Sequence, residues 1–299
     1  MTPAEKQFLQ RNKLPDSYLD SAKRWFSHLL AEFSKRVDSP SKSPLIIGIN
    51  GTQGSGKSTL ADYLCTMLGE LELNTVSLSL DDFYLTRAER QTLAETVHPL
   101  LKTRGVPGTH DIALALKTFK SLIEGSEKTL IPRFDKSTDD RHLEVDCDWV
   151  SGPVDIIIFE GWCVGSKPQP DEALTEPVNS LEQESDKDGI WRNFVNRALA
   201  TDYQPLFESI DRLIMLRAPS FNTVFNWRLE QEQKMITRLA DRGDGDRSGI
   251  MSETQIAEFI AHYQRITEHS LEEMPSRADH LFQLDSQRQI IKYNELIEG

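Results

Sequence analysis

Gly51-Thr52-Gln53-Gly54-Ser55-Gly56-Lys57-Ser58-Thr59 meets the phosphate-binding pattern G-x-x-x-x-G-K-[ST] at every defined position. Before it, Leu45-Ile-Ile-Gly-Ile49-Asn50 is a short apolar, β-branched run that reads as a buried parallel strand. After it, Leu60, Tyr63, Leu64, Met67 and Leu68 recur at helical spacing up to Gly69, a C-terminal stop. Strand, glycine loop and helix in this order separate a phosphate loop from a Gly/Ser-rich turn with an incidental lysine. The glycines let backbone N–H groups wrap phosphates, and the helix N-terminus adds its partial positive charge. Lys57 is placed to reach the β- and γ-phosphates of a nucleoside triphosphate, and the Ser58 hydroxyl to ligate Mg²⁺.

The rest of the composition narrows the class. A chain of 299 residues with 38% hydrophobic and 27% charged residues is globular and long enough for a substantial core. A formal charge of -13 argues against a broad surface tracking nucleic acid or anionic lipid, while leaving room for a local basic pocket. Cys65, Cys147 and Cys163 form no C-x-x-C pair and suggest a reducing compartment. The N-terminus lacks the apolar core of a signal peptide, and no run approaches membrane-spanning length. A soluble cytoplasmic protein is expected.

Working outward, residues 16–37 carry Tyr18, Leu19, Ala22, Trp25, Phe26, Leu29, Leu30 and Phe33 on one helical face, the pattern of a helix packed on the core. Asp38 to Pro44 is a breaker cluster. Thr75-Val-Ser-Leu-Ser-Leu80 reads as a second strand ending at Asp81-Asp82-Phe83-Tyr84. Ligands of open α/β sheets bind beyond the carboxyl ends of the strands. Asp81 and Asp82 therefore fall near the γ-phosphate position, to accept a hydroxyl proton or hold Mg²⁺ through water, or else they cap the next helix. Arg104-Gly-Val-Pro-Gly108-Thr109-His110-Asp111 is a structured turn before a helix from Ile112 to Ile123, with Thr109 or Asp111 available as a cap.

Arg133, Lys136 and Arg141 lie within one short segment, beside Asp135, Asp139 and Asp140. Such a cluster either grips a carboxylate or phosphate or pairs with its acidic neighbours. Val154-Asp-Ile-Ile-Ile-Phe159 followed by Glu160 has the layout of a Walker-B strand, whose carboxylate binds Mg²⁺ or its water shell. Residues from about 164 to 203 read as an insertion on the active-site side. Arg212-Leu-Ile-Met-Leu216 is a further strand, followed by a lid region over about 220–250 whose helix (220–239) carries Arg228, Lys234 and Arg238. The polar loop at 241–249 lacks the spacing and closing Glu of a calcium loop. Ser252–His269 starts a helix at a Ser-x-x-Gln capping box, and Ala278–Leu284 is a last strand.

With these residues assembled, the chain resembles the phosphate-loop small-molecule kinases that include uridine kinase, phosphoribulokinase and pantothenate kinase, and most of all the D-glycerate 3-kinases. The resemblance rests on Gly51–Thr59, Ser79–Tyr84, Arg104–Asp111, Pro132–Ser137, Phe159–Gly165 and a P-x-N-x-L-E element at Pro177–Glu182. It implies one α/β domain with a five-stranded parallel sheet of order 2-3-1-4-5, and ATP and Mg²⁺ as cofactors. It further implies D-glycerate as small-molecule acceptor, Asp81 as general base and Glu160 as Walker-B carboxylate. By the same resemblance, the segments holding Asp82, Tyr84, Thr109, His110, Asp111, Arg133, Lys136 and Arg141 surround the acceptor. One departure is Thr138-Asp-Asp140, where more glycine is expected. The rival readings are a related kinase for a nucleoside or pantothenate, and a nucleotide-driven switch with no small acceptor.

Overall fold

The apolar runs, buried on both faces in the central strands, join into one sheet. In the computed structural model, which describes residues 1–37, 43–241 and 251–296 (side chains of 37 and 234–241 excepted), six strands pair side by side. They are β1 (Leu45–Gly51), β2 (Thr75–Ser79), β3 (Ile156–Gly161), β4 (Arg212–Arg217), β5 (His280–Leu284) and β6 (Ile290–Glu295). Their order is β2-β3-β1-β4-β5-β6. The first five are parallel, as the expected 2-3-1-4-5 order requires, with Val76 opposite Ile157 and Ile47 opposite Ile158. The expectation of five strands is corrected to six: β6 returns antiparallel on β5 at the sheet edge. Its outward residues, Ile291, Lys292, Asn294 and Glu295, are exposed, so it lacks the apolar run of a central strand.

Successive strand residues face opposite sides and build two cores. Ile47, Ile49, Ile158, Ile214 and Phe282 meet α2 (Ser17–Val37) and α3 (Lys57–Gly69), and the aromatic stripe of α2 is buried there at Phe26 and Phe33. The helix α1 (Pro3–Asn12) precedes them, started by a capping box of Thr2 and Glu5. On the other side Ile46, Val76, Leu78, Ile157 and Phe159 share a core with Phe119, Trp191, Val195 and Tyr263. Each side chain of this size fully buried stabilises by about 1.5–3 kcal/mol. The helices here are α4 (Arg87–Thr96), α5 (Ile112–Ile123), α6 (Ser180–Ser185) and α7 (Ile190–Ala198). A π turn, Leu199–Tyr203, continues α7 into α8 (Gln204–Phe207). Then follow α9 (Phe221–Asp241) and α10 (Glu253–Glu273), the latter opened by the expected Ser252–Gln255 capping box. No described helix is long and apolar enough to cross a membrane.

The P-x-N-x-L-E element has a structural explanation. Asn179 caps α6 by accepting from the Glu182 N–H and donates to the Ala261 carbonyl of α10. Glu182, fully buried, takes both arms of the buried Arg265 guanidinium at 2.8 and 2.6 Å. The remaining Arg265 N–H groups reach the Ala173 and Glu176 carbonyls, which fastens the 164–203 segment to α10. Removing one member of such a pair leaves a buried charge uncompensated. Glu182→Ala is therefore expected to destabilise by about 3–5 kcal/mol, read by denaturant unfolding; a loss below about 1 kcal/mol would show the pair to be dispensable.

Candidate active site

The phosphate loop leaves the carboxyl end of β1. Gly54 and Gly56 take φ of 79° and 93°, the left-handed region that the loop's turn requires. Helix α3 starts at Lys57 with no side-chain cap, so its first N–H groups point toward the loop's hollow. Thr52, Gln53, Ser55 and Thr59 complete the loop, and the Thr52 and Ser55 hydroxyls are buried with no hydrogen-bond partner. Glu160 leaves β3 alongside: its Oε1 accepts from the Ser58 hydroxyl at 2.8 Å, and its Oε2 lies 3.9 Å from Lys57 Nζ. Glu160 Oε2 is buried and accepts no hydrogen bond. A hydroxyl and one buried, under-satisfied carboxylate make a hard oxygen donor set that fits Mg²⁺, which takes few protein ligands and fills its shell with phosphates and water.

Asp81 and Asp82 follow β2 in a short turn, Leu80–Phe83, and diverge. Asp81 faces a cleft of about 910 Å³ shared with Lys57, Tyr84, Arg104 and Trp162. It accepts from Lys136 Nζ at 2.6 Å and from the Tyr84 hydroxyl at 2.8 Å. Burial alone would raise its pKa, but the charges of Lys136 and Lys57 and the two hydrogen bonds outweigh it and bring it down to about 2. Asp82 turns away to Arg133 Nη1 at 2.7 Å and the Phe134 N–H at 3.4 Å. There burial prevails over Arg133, and its pKa is raised.

Because its folded pKa is depressed, Asp81 is ionised above about pH 2, and its stabilising contribution is lost as pH falls from the ordinary carboxylate range through that value. No acid limb from Asp81 is expected in the activity profile near neutrality. In Lys136→Ala burial is less opposed, so the acid limb should move upward in pH. A kcat/KM profile from pH 4 to 8 checks this, and an unchanged limb would show that Lys136 does not set the ionisation of Asp81.

The other residues singled out in the sequence fall into two groups. Arg133 is held between Asp82 and Asp148, and Arg141 between Asp111 at 2.9 Å and the Tyr84 carbonyl at 2.8 Å. Both pair with acids other than their immediate neighbours. Asp111 caps α5 through the Leu114 N–H. Thr109 is fully buried, donating to the Val106 carbonyl and accepting from the Gly105 N–H. His110 stacks on Tyr84 at 4.6 Å, and its Nδ1 meets the Tyr203 hydroxyl at 2.6 Å. Burial brings its pKa down to about 3, so the ring is neutral near pH 7. Tyr203, placed by the π turn, also accepts from the Gly108 N–H.

Of the lid residues, Arg228 lines the cleft and pairs with Glu232 at 2.7 Å. The Lys234 and Arg238 side chains and the loop at 242–250 lie outside the described residues. Sequence reasoning did not single out Arg104, Lys102, Trp162 or Tyr263, which also line the cleft. Arg104 opens the turn motif at 104–111 and was legible there, whereas Tyr263 comes from α10 and carries no local signal. A second cavity of about 630 Å³ adjoins the other side of the loop, between Gly54–Thr59, Tyr18 and Phe26 of α2, and residues 287–290 at the start of β6.

A parallel sheet of this order, a phosphate loop, a Walker-B carboxylate and a second-strand aspartate around one cleft define a phosphate-loop small-molecule kinase. No protein-family model matches the chain. It is 38% identical over 245 residues to the uncharacterized kinase mug58 of Schizosaccharomyces pombe, covering 78% of this chain and 83% of that one. It is 31% identical to the chloroplastic D-glycerate 3-kinase of Arabidopsis thaliana, over 77% of this chain and 48% of that one. The solved D-glycerate 3-kinase of Cryptococcus neoformans superposes with a TM-score of 0.71 at 28% identity, over 89% of this chain and 96% of that one. The chain belongs to the kinase family that includes mug58, and it is similar to D-glycerate 3-kinases.

Proposed function

We propose that this kinase transfers the γ-phosphoryl group of ATP to a hydroxyl of D-glycerate. The observation that carries the reading is the cleft itself. It brings the Asp81 carboxylate and Lys57 together with Lys136, Lys102 and Arg104, a cationic lining suited to a small anionic acceptor in a protein of net charge -13. A neutral nucleoside would have no need of so many cations. The second cavity, opening on the far side of the loop, supports the nucleoside end of ATP lying there.

Asp81 accepts the proton of the acceptor hydroxyl as its oxygen bonds to the γ-phosphorus. The bond from that phosphorus to the β–γ bridging oxygen breaks, and ADP departs. Lys57 and the loop N–H groups offset charge on the transferring oxygens, and Arg228 adds a cation from the lid side. Ser58 and Glu160 would hold Mg²⁺, which when bound neutralises charge on the β- and γ-phosphate oxygens. Thr109, Asp111 and Arg141 frame the acceptor side through the loop they stiffen, with Tyr84 in its wall and His110 stacked on Tyr84. The three thiols, none in a disulfide, support assigning this activity to the reducing cytoplasm.

Measuring ATP consumption against a panel of hydroxy acids, nucleosides and pantothenate tests the reading. D-glycerate is expected to be the acceptor that accelerates turnover. A nucleoside or pantothenate doing so instead would move the chain to another acceptor, and a rate indifferent to every metabolite would point to a nucleotide-driven switch.

A further inference from the structure

With Arg133 and Arg141 engaged elsewhere, Lys136 on Asp81 and Arg228 on the buried Glu232, Arg104 is the cleft guanidinium whose carboxylate partner, Asp139, is partly exposed and replaceable. Among the described residues, the side chain of Arg104 has one polar partner, Asp139. The other oxygen of Asp139 lies 2.9 Å from Arg90 Nη2. The two arginines differ in kind. Arg90 is buried, and its N–H groups donate to the carbonyls of Leu85, Lys102 and Asp139, so it is part of the framework. Arg104 is a quarter exposed, borders the cleft, and lies with its guanidinium 5.4 Å from the Phe134 ring centroid. Such contact with an aromatic ring steadies the guanidinium and leaves its N–H edges available for a planar anion.

The backbone that presents Arg104 is fixed. Its carbonyl accepts from the Tyr263 hydroxyl at 3.1 Å, and the next carbonyl, of Gly105, accepts from Trp162 Nε1 at 2.8 Å. Gly105 has a φ of 133°, and a Cβ there would collide with the Tyr263 hydroxyl. A side chain held on so constrained a loop is pre-organised for binding. Asp139 sits differently. It lies at the tip of the two-residue pairing of Phe134–Asp135 with Asp140–Arg141, with a φ of 58° and a side chain about one-third exposed. The left-handed backbone, where glycine was expected, projects a carboxylate into the cleft.

We propose that Arg104 binds the carboxylate of the acceptor, and that Asp139 occupies the Arg104 guanidinium until the acceptor displaces it. Resting on the hydroxy-acid kinase reading, this makes Arg104 the residue that selects acids over neutral alcohols, with Asp139 an internal competitor that weakens acceptor binding.

The test compares wild type, Arg104→Gln, Arg104→Lys and Asp139→Asn with D-glycerate and glycerol as acceptors and ATP as donor. Arg104→Gln is expected to raise the D-glycerate KM about 10- to 100-fold, with the ATP KM moving by less than about two-fold. The preference for D-glycerate over glycerol should shrink by a similar factor. Arg104→Lys should fall between, keeping the charge without the planar fork. Asp139→Asn should lower the D-glycerate KM. An unchanged D-glycerate KM in Arg104→Gln overturns the proposal, as does an equal rise in both KM values. If Asp139→Asn raises the D-glycerate KM as Arg104→Gln does, Asp139 positions Arg104 and the competition is refuted. A wild type that phosphorylates no hydroxy acid refutes the function itself and this inference with it, a result distinct from an active wild type indifferent to Arg104.

Discussion

Replacing Lys57 with alanine is expected to lower phosphoryl transfer by at least about 10²- to 10³-fold. Lys57 borders both cavities, so it stands between the acceptor cleft and the space assigned to the nucleoside. Its ammonium is also the cation nearest Glu160 Oε2 among the described ion pairs. The substitution therefore removes charge from the transferring group and leaves a buried carboxylate without its counter-charge. Turnover at saturating ATP and acceptor, with a thermal melt to confirm folding, checks the expectation. Near-normal turnover would remove the foundation of the kinase reading for this loop.

The second large effect separates two adjacent carboxylates. Asp81→Asn keeps the shape of the side chain but removes the proton acceptor, so kcat should fall about 10²- to 10⁴-fold while ATP still binds. Asp82→Asn should cost much less in kcat. Asp82 meets Arg133 and the Phe134 N–H, so its loss loosens the 133–141 hairpin and should appear chiefly as lower stability. Measuring kcat and nucleotide affinity for both variants decides the matter. An inactive Asp82→Asn beside an active Asp81→Asn would reverse the assignment.

How far the sequence could be read depended on the range of the interactions involved. The phosphate loop, β1 and α3 are specified by residues within one contiguous stretch, so pattern and structure coincide there. Helix α2 and the capped start of α10 were legible for the same reason. Helices α1 and α4 were passed over, although Thr2 with Glu5 and Thr86 with Glu89 form capping boxes that announce them. Strand β6 is different: most of its residues are exposed, and it exists by pairing with β5 rather than by its own apolar pattern.

The site divides along the same line. Lys57, Ser58, Asp81 and Glu160 sit at motif positions and meet because parallel strands end together. The partners of Arg133 and Arg141 were not foreseeable from spacing, since Asp82 lies 51 residues from Arg133 and Asp111 lies 30 from Arg141. The fixation of Arg104 by Tyr263 spans 159 residues and left no trace in either segment.

The π turn at Leu199–Tyr203 makes the acceptor side sensitive to chain length as well as to chemistry. An ordinary α-helix advances about 100° per residue, and a π turn accommodates roughly one residue more than an α-helical turn. Deleting one residue of the turn ahead of Tyr203 would therefore let α7 run on regularly into α8 with little rotation of α8, whereas deleting two would rotate it by about that angle. Tyr203 holds both the Gly108 N–H and His110, so its hydroxyl would stay near the 104–111 loop after one deletion and swing off it after two, although no contacting side chain had been changed. The turn thus buffers the cleft wall against the loss of one residue but not of two.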